Sequence, residues 1–477
     1  MSVEKKRQLI DGEWIFSNRF YPLENPYNGE IIAEICRADE SDVQKAISSA
    51  YRAQEVMREM PAFKRSEILY KVSEILEFRK EEFAKLIVLE SGKPINAARG
   101  EMQRTVETYR LAAEEAKRLY GETIPMDASA GGTGRIGLTW KEPLGVVVAI
   151  TPFNFPFNLV AHKLGPAFAA GNTVVLKPAE QTPLGSIAIA EVFMEAGLPK
   201  GALQVVTGYG EELSDALIAD ERVRRVTFTG SAAVGKLIKS KVGLRKCTLE
   251  LGSNAAVIIE PDIDIAKIVP RCVETAYSFS GQLCISLQRI YVQQSIYRSF
   301  VEAFVEQSKL LKLGDPNEET TDISVLIHEK EAARVKGWID DALEAGAEVA
   351  CGGEGEGAML EPTVLLNVNN EMAVSCMETF APIVSIVPYE NLQAAIDMAN
   401  HSNFGLNLGI YTSNIFNAFD AARQLKAGGV IINDAPTFRV DHMPYGGIKD
   451  SGYGREGVHY AVQEMTETKF VSINTKL

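Results

Sequence analysis

The chain has 477 residues, 46% hydrophobic and 23% charged, enough for about three domain-sized units around a large buried core. With 49 basic against 63 acidic residues, the formal net charge is −14, which argues against a nucleic-acid backbone as partner. No run approaches the ~20 uninterrupted apolar residues of a membrane span, and Met1 to Arg7 lacks the apolar core of a signal peptide, so no membrane partner and a cytoplasmic location are expected. Six cysteines (36, 247, 272, 284, 351, 376) include no Cys-x-x-Cys pair, and five histidines are scattered, so reduced thiols and no metal site are expected.

In chain order, Asp11-Gly12 and Asn28-Gly29 predict hairpin turns between short strands. Ser41-Asp42-Val43-Gln44 reads as a capping box opening a helix with Val43, Ala46, Ile47 and Ala50 on one face. Amphipathic helices follow over about 66–89 and 97–119. The Gly-rich segment 121–141 predicts an extended excursion able to reach a partner subunit.

From Pro143 onward apolar runs alternate with helices. Strands are predicted at 145–150, 172–176, 203–206, 225–228 and 247–251, with helices at 184–196, 211–219 and 232–240. A second set has strands at 255–259, 289–292, 362–366, 383–387, 408–411 and 429–433, with helices at 298–311, 330–345 and 392–399. Apolar strands separated by helices mean parallel sheets covered on both faces, and ligands bind such sheets at the carboxyl ends of the strands. The turn 250–254 is a candidate domain boundary.

Several of those ends carry chemistry. Thr229-Gly230-Ser231-Ala232-Ala233-Val234-Gly235-Lys236 follows a strand and opens a helix, which suits a pyrophosphate. It nearly spells a P-loop, but Leu237 stands where a Mg²⁺-binding hydroxyl is needed, and Ala232 replaces the second glycine of a dinucleotide fingerprint. An ordinary glycine turn remains open as the third reading. Lys177 and Glu180 end another strand, where they can meet ribose hydroxyls or form a plain surface pair. Asn154 offers an amide donor to an oxyanion, or caps its turn. Glu250, flanked by leucines, is a desolvated carboxylate suited to general-base work, or a structural glutamate with a hidden partner. Cys284, in Ser280-Gly281-Gln282-Leu283-Cys284-Ile285, is either a nucleophile or a small buried hydrophobe. Glu378 sits beside Phe380 in a Pro-containing turn.

Taken together and in order, Thr151-Pro152-Phe153-Asn154-Phe155-Pro156, Lys177-Pro178-Ala179-Glu180, the Gly230 to Gly235 turn, Leu249-Glu250-Leu251-Gly252, Gly281-Gln282-Leu283-Cys284, Glu378-Thr379-Phe380 and Pro444-Tyr445-Gly446-Gly447-Ile448-Lys449-Asp450-Ser451-Gly452 resemble the aldehyde dehydrogenase superfamily. The resemblance implies an α/β fold of two doubly wound parallel-sheet domains plus a β oligomerisation flap. Residues 1–120 and 141–250 would bind the cofactor, 251–453 would form the catalytic domain, and 121–140 with 454–477 would form the flap of a homodimer or homotetramer. It implies NAD(P)-dependent oxidation of an aldehyde through a cysteine thiohemiacetal and thioester. Cys284 would be the nucleophile, Asn154 and the Cys284 N–H the oxyanion donors, and Glu250 the base that activates water. Lys177 and Glu180 would hold the adenosine ribose, Ser231 with Gly230 and Gly235 the pyrophosphate, and Glu378 the nicotinamide ribose beside Phe380. Thr151, Pro152, Phe153, Gly210 and Leu251 would complete the cofactor pocket. Glu180 beside the ribose disfavours a 2′-phosphate, so NAD is expected, with NADP as the alternative.

Three positions depart from the family pattern: Phe153 replaces a common Trp, Ser253 a common second Gly, and Leu283 an Arg of some relatives. Arg104 and the Phe438-Arg439-Val440-Asp441-His442-Met443-Pro444 loop resemble the non-phosphorylating glyceraldehyde-3-phosphate and lactaldehyde dehydrogenase branches. With Phe155, Leu283 and Ile285, the two arginines would select a small polar or anionic aldehyde: lactaldehyde, a glyceraldehyde-3-phosphate-like aldehyde, sulfolactaldehyde or a semialdehyde. Both arginines can equally be structural ion pairs. A CoA-acylating enzyme, a P-loop nucleotide-binding protein and an inactive relative stay open as alternatives. Glu250 speaks against the first, Leu237 against the second, and the joint presence of Cys284, Glu250 and Asn154 against the third.

Overall fold

The computed structural model describes residues 3–476. Five parallel strands with buried interiors form the centre of an eight-stranded sheet. Their spatial order is Lys246–Glu250, Val223–Thr229, Val146–Ile150, Thr173–Lys177 and Leu203–Val205. An N-terminal hairpin, Gln8–Ile10 and Glu13–Ile15, extends one edge antiparallel, and Gly452–Tyr453 pairs antiparallel at the other. Asp11 and Gly12 turn that hairpin with both φ positive, 56° and 71°, the geometry a tight two-residue turn needs.

Strand order reverses at Val146–Ile150: the next two strands in sequence add on one side, the following two on the other. Ile150 pairs with Lys177 on one flank and Phe228 on the other, and Thr229 pairs with Glu250. That register brings the turns after these strands to one rim, with a crevice at the switch point.

A seven-stranded sheet follows, ordered Glu348–Cys351, Thr363–Leu366, Ile383–Tyr389, Arg289–Gln293, Ala256–Ile259, Asn407–Tyr411 and Gly429–Ile432. All its pairings are parallel except that of the edge strand Glu348–Cys351. A separate ribbon pairs Arg135–Pro143 with Thr466–Asn474 along nine residues, with Thr123–Ile124 on its outer side.

Several segments differ from expectation, among them helix Ile415–Gln424, which lies outside the expected helices. The first helix, Glu40–Glu59, is capped by Asp39, not Ser41; the Asp39 side chain accepts from the Asp42 N–H while the Asp42 carboxylate returns to the Asp39 N–H. The 66–89 helix is two helices, Ala62–Phe78 and Lys80–Ser91, broken at Arg79. Buried Leu76 and Phe83 carry the apolar stripe across the break, which hides it from periodicity. A helix at Asn158–Ala169 was not anticipated, because all 12 of its residues are buried and it has no polar face to set a period. Residues 454–476 hold two different elements. Helix Val458–Glu464 buries Val458 and Val462 in the core shared with Leu164 and Ala112, and only from Thr466 does the chain join the ribbon.

Candidate active site

Cys284 follows an unusual turn. Phe279, Ser280 and Gly281 have φ of 47°, 54° and 73° in succession. Left-handed geometry costs non-glycine residues roughly 1–3 kcal/mol each and persists only where surroundings enforce it. Here Ser280 donates to the Ser324 carbonyl at 2.8 Å, and the Gln282 side chain accepts from the Ile327 N–H at 2.9 Å. Gly281 is required as well, since a Cβ there would lie 2.1 Å from the Ala381 carbonyl oxygen. Beyond the turn Cys284 is partly exposed and packs with Ile285, Leu406, Met443 and Tyr445. Its Sγ lies 3.1 Å from the Tyr445 hydroxyl. Burial pushes the thiol up to about 11, against the pull of the Tyr445 hydrogen bond and the Arg439 charge.

Asn154 reaches the same turn, its Nδ2 donating to the Gln282 carbonyl at 2.8 Å. Its own carbonyl is held from behind by Lys93 Nζ at 2.6 Å. Lys93 is buried against the Phe155 and Phe279 rings, 3.8 and 4.5 Å from their centroids, and paired with Glu101. Burial lowers its pKa despite that partner. Glu101 also accepts from the Phe157 and Asn158 N–H groups, tying the start of helix Asn158–Ala169 to the same cluster. Nothing in the local sequence marks Lys93 or Glu101 as buried.

Glu250 ends its strand 3% exposed, with neither carboxylate oxygen hydrogen-bonded among the described residues. Burial, reinforced by Glu456, pushes its pKa well above the usual carboxylate range, with Arg439 and Lys163 pulling the other way. Glu456 stays ionised: burial is outweighed by Lys163 Nζ at 3.1 Å and Arg439 Nη2 at 3.2 Å. Lys163, on the unanticipated helix, also donates to Thr229 at 2.8 Å. One rim thus carries a thiol, an amide donor and an unpartnered carboxylate, a set able to run acyl transfer through sulfur.

The crevice beside them suits a dinucleotide. Gly230 donates its N–H to the Glu250 carbonyl at 3.0 Å, and Ser231 caps helix Ala232–Lys241, leaving that N-terminus facing the rim. Gly235 permits close packing of this helix, since a Cβ would sit 2.4 Å from the Leu251 side chain. Lys236 turns away to Asp450 at 2.6 Å and does not take the part of a P-loop lysine. Buried Lys177 pairs with the more exposed Glu180 at 3.0 Å, next to Gly210 at the start of helix Gly210–Ala219. Thr151 bonds the Lys177 carbonyl at 3.2 Å, and the Phe153 carbonyl, one residue past Pro152, accepts from Thr182 at 3.3 Å. Glu378 accepts from the Ser253 N–H at 2.9 Å, so the Ser253 departure from family pattern leaves this bond to the backbone. Burial raises Glu378 to about 7. Phe380, at φ 50°, meets Phe153 edge-on at 5.8 Å.

Arg104 on helix Ile95–Glu115 reaches Asp441 at 2.6 Å while about a third of its side chain stays exposed (34%). Asp441 also takes His162 Nε2 at 2.9 Å, which assigns the proton to that nitrogen. Burial and Arg439 keep His162 neutral. Burial would raise Asp441, but His162 and Arg104 hold it below the ordinary range. Arg439 is buried, its guanidinium carbon 3.7 Å above the Tyr445 ring. Phe155 and Leu283 are half-buried, and Ile285 is buried. Tyr445 and Asp441 lie inside recognisable motifs, but their partners are far away in sequence, so their contacts were not foreseen.

The aldehyde dehydrogenase family model matches residues 14–471, and the chain belongs to that family. A 3-sulfolactaldehyde dehydrogenase of Priestia aryabhattai is 46% identical over 472 residues, spanning 99% of this chain and 98% of that protein. Aldehyde dehydrogenase 21 from Physcomitrella patens, solved with the reaction product succinate, superposes with a TM-score of 0.97 at 38% identity, covering 100% and 99% of the two chains. A glyceraldehyde-3-phosphate dehydrogenase of Methanocaldococcus jannaschii complexed with NADP gives a TM-score of 0.92 at 38% identity, covering 96% and 100%. The protein is an NAD(P)-dependent aldehyde dehydrogenase.

Proposed function

We propose that the enzyme oxidises a small anionic aldehyde, of the sulfolactaldehyde, phosphoglyceraldehyde or semialdehyde kind, to its carboxylate, with NAD preferred over NADP. The observation that carries this reading is Arg104, which meets buried Asp441 at 2.6 Å and keeps about a third of its side chain exposed, whereas Arg439 is buried and engaged by Glu456 and the Tyr445 ring. The relative named for 3-sulfolactaldehyde supports the substrate class. Glu180, one-third exposed beside Lys177, supports NAD, because its charge repels a ribose 2′-phosphate.

In this mechanism the Cys284 sulfur attacks the aldehyde carbon, and the oxyanion meets Asn154 Nδ2 and the Cys284 N–H. The nicotinamide, when bound, supplies the hydride acceptor. Glu250 takes a proton from the water that hydrolyses the thioester, a task for which burial, by raising its pKa, makes it a stronger base than an ordinary carboxylate. Glu378 would hold the ribose hydroxyls of that cofactor. The ribbon at Thr466–Asn474 leaves Phe470 and Ile473 exposed, which supports a homo-oligomer. Free thiols at all six cysteines fit a cytoplasmic setting.

The test is a rate comparison of sulfolactaldehyde, glyceraldehyde-3-phosphate, succinic semialdehyde, lactaldehyde and hexanal, with NAD and NADP, with and without CoA. An anionic aldehyde should lead hexanal in kcat/KM by at least ~10-fold, about 1.4 kcal/mol. Equal rates for charged and neutral aldehydes would refute the substrate class, and acyl-CoA as product would refute hydrolysis.

A further inference from the structure

We propose that Tyr445 is a further catalytic residue, its phenol donating a hydrogen bond to the Cys284 thiolate before attack and again when the thioester releases sulfur. This rests on Cys284 being the nucleophile, and the experiment below separates failure of the two.

Four observations converge. The Tyr445 hydroxyl, 3.1 Å from Sγ, is the polar side-chain partner that the described residues give the sulfur. The tyrosine is 3% exposed and has little freedom: its N–H and carbonyl both bond Glu456, at 3.1 and 2.6 Å. The Arg439 guanidinium stacks on its ring at 3.7 Å, held there by Glu456 at 3.2 Å. A cation on the ring face strengthens the phenol as a donor. Finally, the two groups hold their protons unequally. Burial pushes the thiol up to about 11 but pushes the phenol well above its ordinary value, so of the two groups sulfur is the first to ionise and the phenol stays a donor.

A buried thiolate without a donor is costly, and a hydrogen bond to an ion is roughly twice as strong as a neutral one. The charged groups facing the pair are Arg439, Glu250 and Glu378; the two carboxylates oppose the thiolate, and Arg439 and the phenol favour it. No bond to Tyr445 forms or breaks. On activation the S–H bond breaks and its proton passes to water. On deacylation the carbon–sulfur bond breaks, its electron pair stays on sulfur, and the phenol O–H again points at it.

Tyr445→Phe keeps the ring under Arg439 and removes only the oxygen. Iodoacetamide alkylation of Cys284, followed across pH by mass spectrometry without aldehyde, reads the thiolate directly. In Tyr445→Phe the midpoint should rise by about one pH unit, with ~10-fold slower alkylation near neutrality and a similar fall in kcat, while NAD binding is unchanged. Replacing Tyr445 with 3-fluorotyrosine preserves shape and makes a stronger donor, so its midpoint should fall. An unchanged midpoint in either variant overturns the role of Tyr445. Dehydrogenase turnover surviving in Cys284→Ala would instead overturn the nucleophile on which it rests.

Discussion

The Arg104 guanidinium and the Asp441 carboxylate meet at 2.6 Å across 337 residues of chain. Asp441 is buried and doubly held, by Arg104 and by neutral His162, while Arg104 keeps a third of its side chain in solvent. The carboxylate thus takes one edge of the guanidinium, and under the proposed function the exposed remainder would meet the anionic group of the substrate. Removing that receptor should cost one charge-assisted contact, about 1.5–3 kcal/mol. Arg104→Ala should therefore raise KM for an anionic aldehyde by roughly 10- to 100-fold and leave a neutral aldehyde nearly unchanged. Asp441→Asn, which removes the competing anion, should lower KM for the anionic aldehyde. Steady-state kinetics with matched charged and neutral substrates check both, and equal effects on the two substrates would make Arg104 purely structural.

Among the described residues, neither oxygen of Glu250 has a hydrogen-bond partner. A carboxylate so placed is available to water, and its replacement should leave acylation intact. In Glu250→Gln the first turnover should release one reduced nicotinamide per active site, followed by steady turnover slower by ~10²–10⁴-fold. The sign of its pH dependence follows from the raised pKa. Below that pKa the group carries a proton and cannot accept another, so wild-type deacylation should rise with pH, and the variant should lose that rise. Stopped-flow absorbance separates the two phases; loss of the burst itself would move Glu250 into acylation.

Much of this architecture is legible in the sequence. The parallel strands announce themselves because buried strands such as Val146–Ile150 are apolar throughout. Helix Asn158–Ala169 is hidden for the same physical reason, being buried all round, and with it go Lys163 and His162. Cys284, Asn154 and Glu250 stand out through the motifs around them, and Asn154 does meet the cysteine turn, at Gln282. The charged scaffold behind them does not stand out. Lys163 meets Glu456 across 293 residues, His162 meets Asp441 across 279, and Tyr445 meets Cys284 across 161. Pairings of that span leave no local period or motif, and only the packed chain brings them together.

Glu378, lifted by burial to about 7, should make cofactor affinity depend on pH. Only the carboxylate form accepts hydrogen bonds from both ribose hydroxyls. Its charged form is lost as pH falls through that value, so KM for NAD should rise several-fold between about pH 8 and about pH 6. Glu378→Gln should have a raised KM at all pH values and a flat profile across this range. Steady-state KM for NAD, followed across this pH range by absorbance of the reduced nicotinamide, is the measurement; a sloping profile retained in Glu378→Gln would assign the titration to another group.

Strand Thr466–Asn474 pairs on one side with Arg135–Pro143, and among the described residues its other edge is open. Nine residues of unpaired edge, with Phe470 and Ile473 about half exposed and Ile136 and Trp140 exposed on the neighbouring strand, are a poor surface to leave in water. Covering them with a second copy of the chain would satisfy the backbone and bury the apolar side chains. The double variant Phe470→Asp/Ile473→Asp places two charges on that ribbon without touching either large sheet. It should elute as a smaller species on size exclusion and melt several degrees lower, since apolar burial is lost at about 25 cal/mol per Å². Each subunit carries its own Cys284, Asn154 and Glu250, so activity per subunit should fall less than stability does. An unchanged elution volume would show that this ribbon does not hold the oligomer.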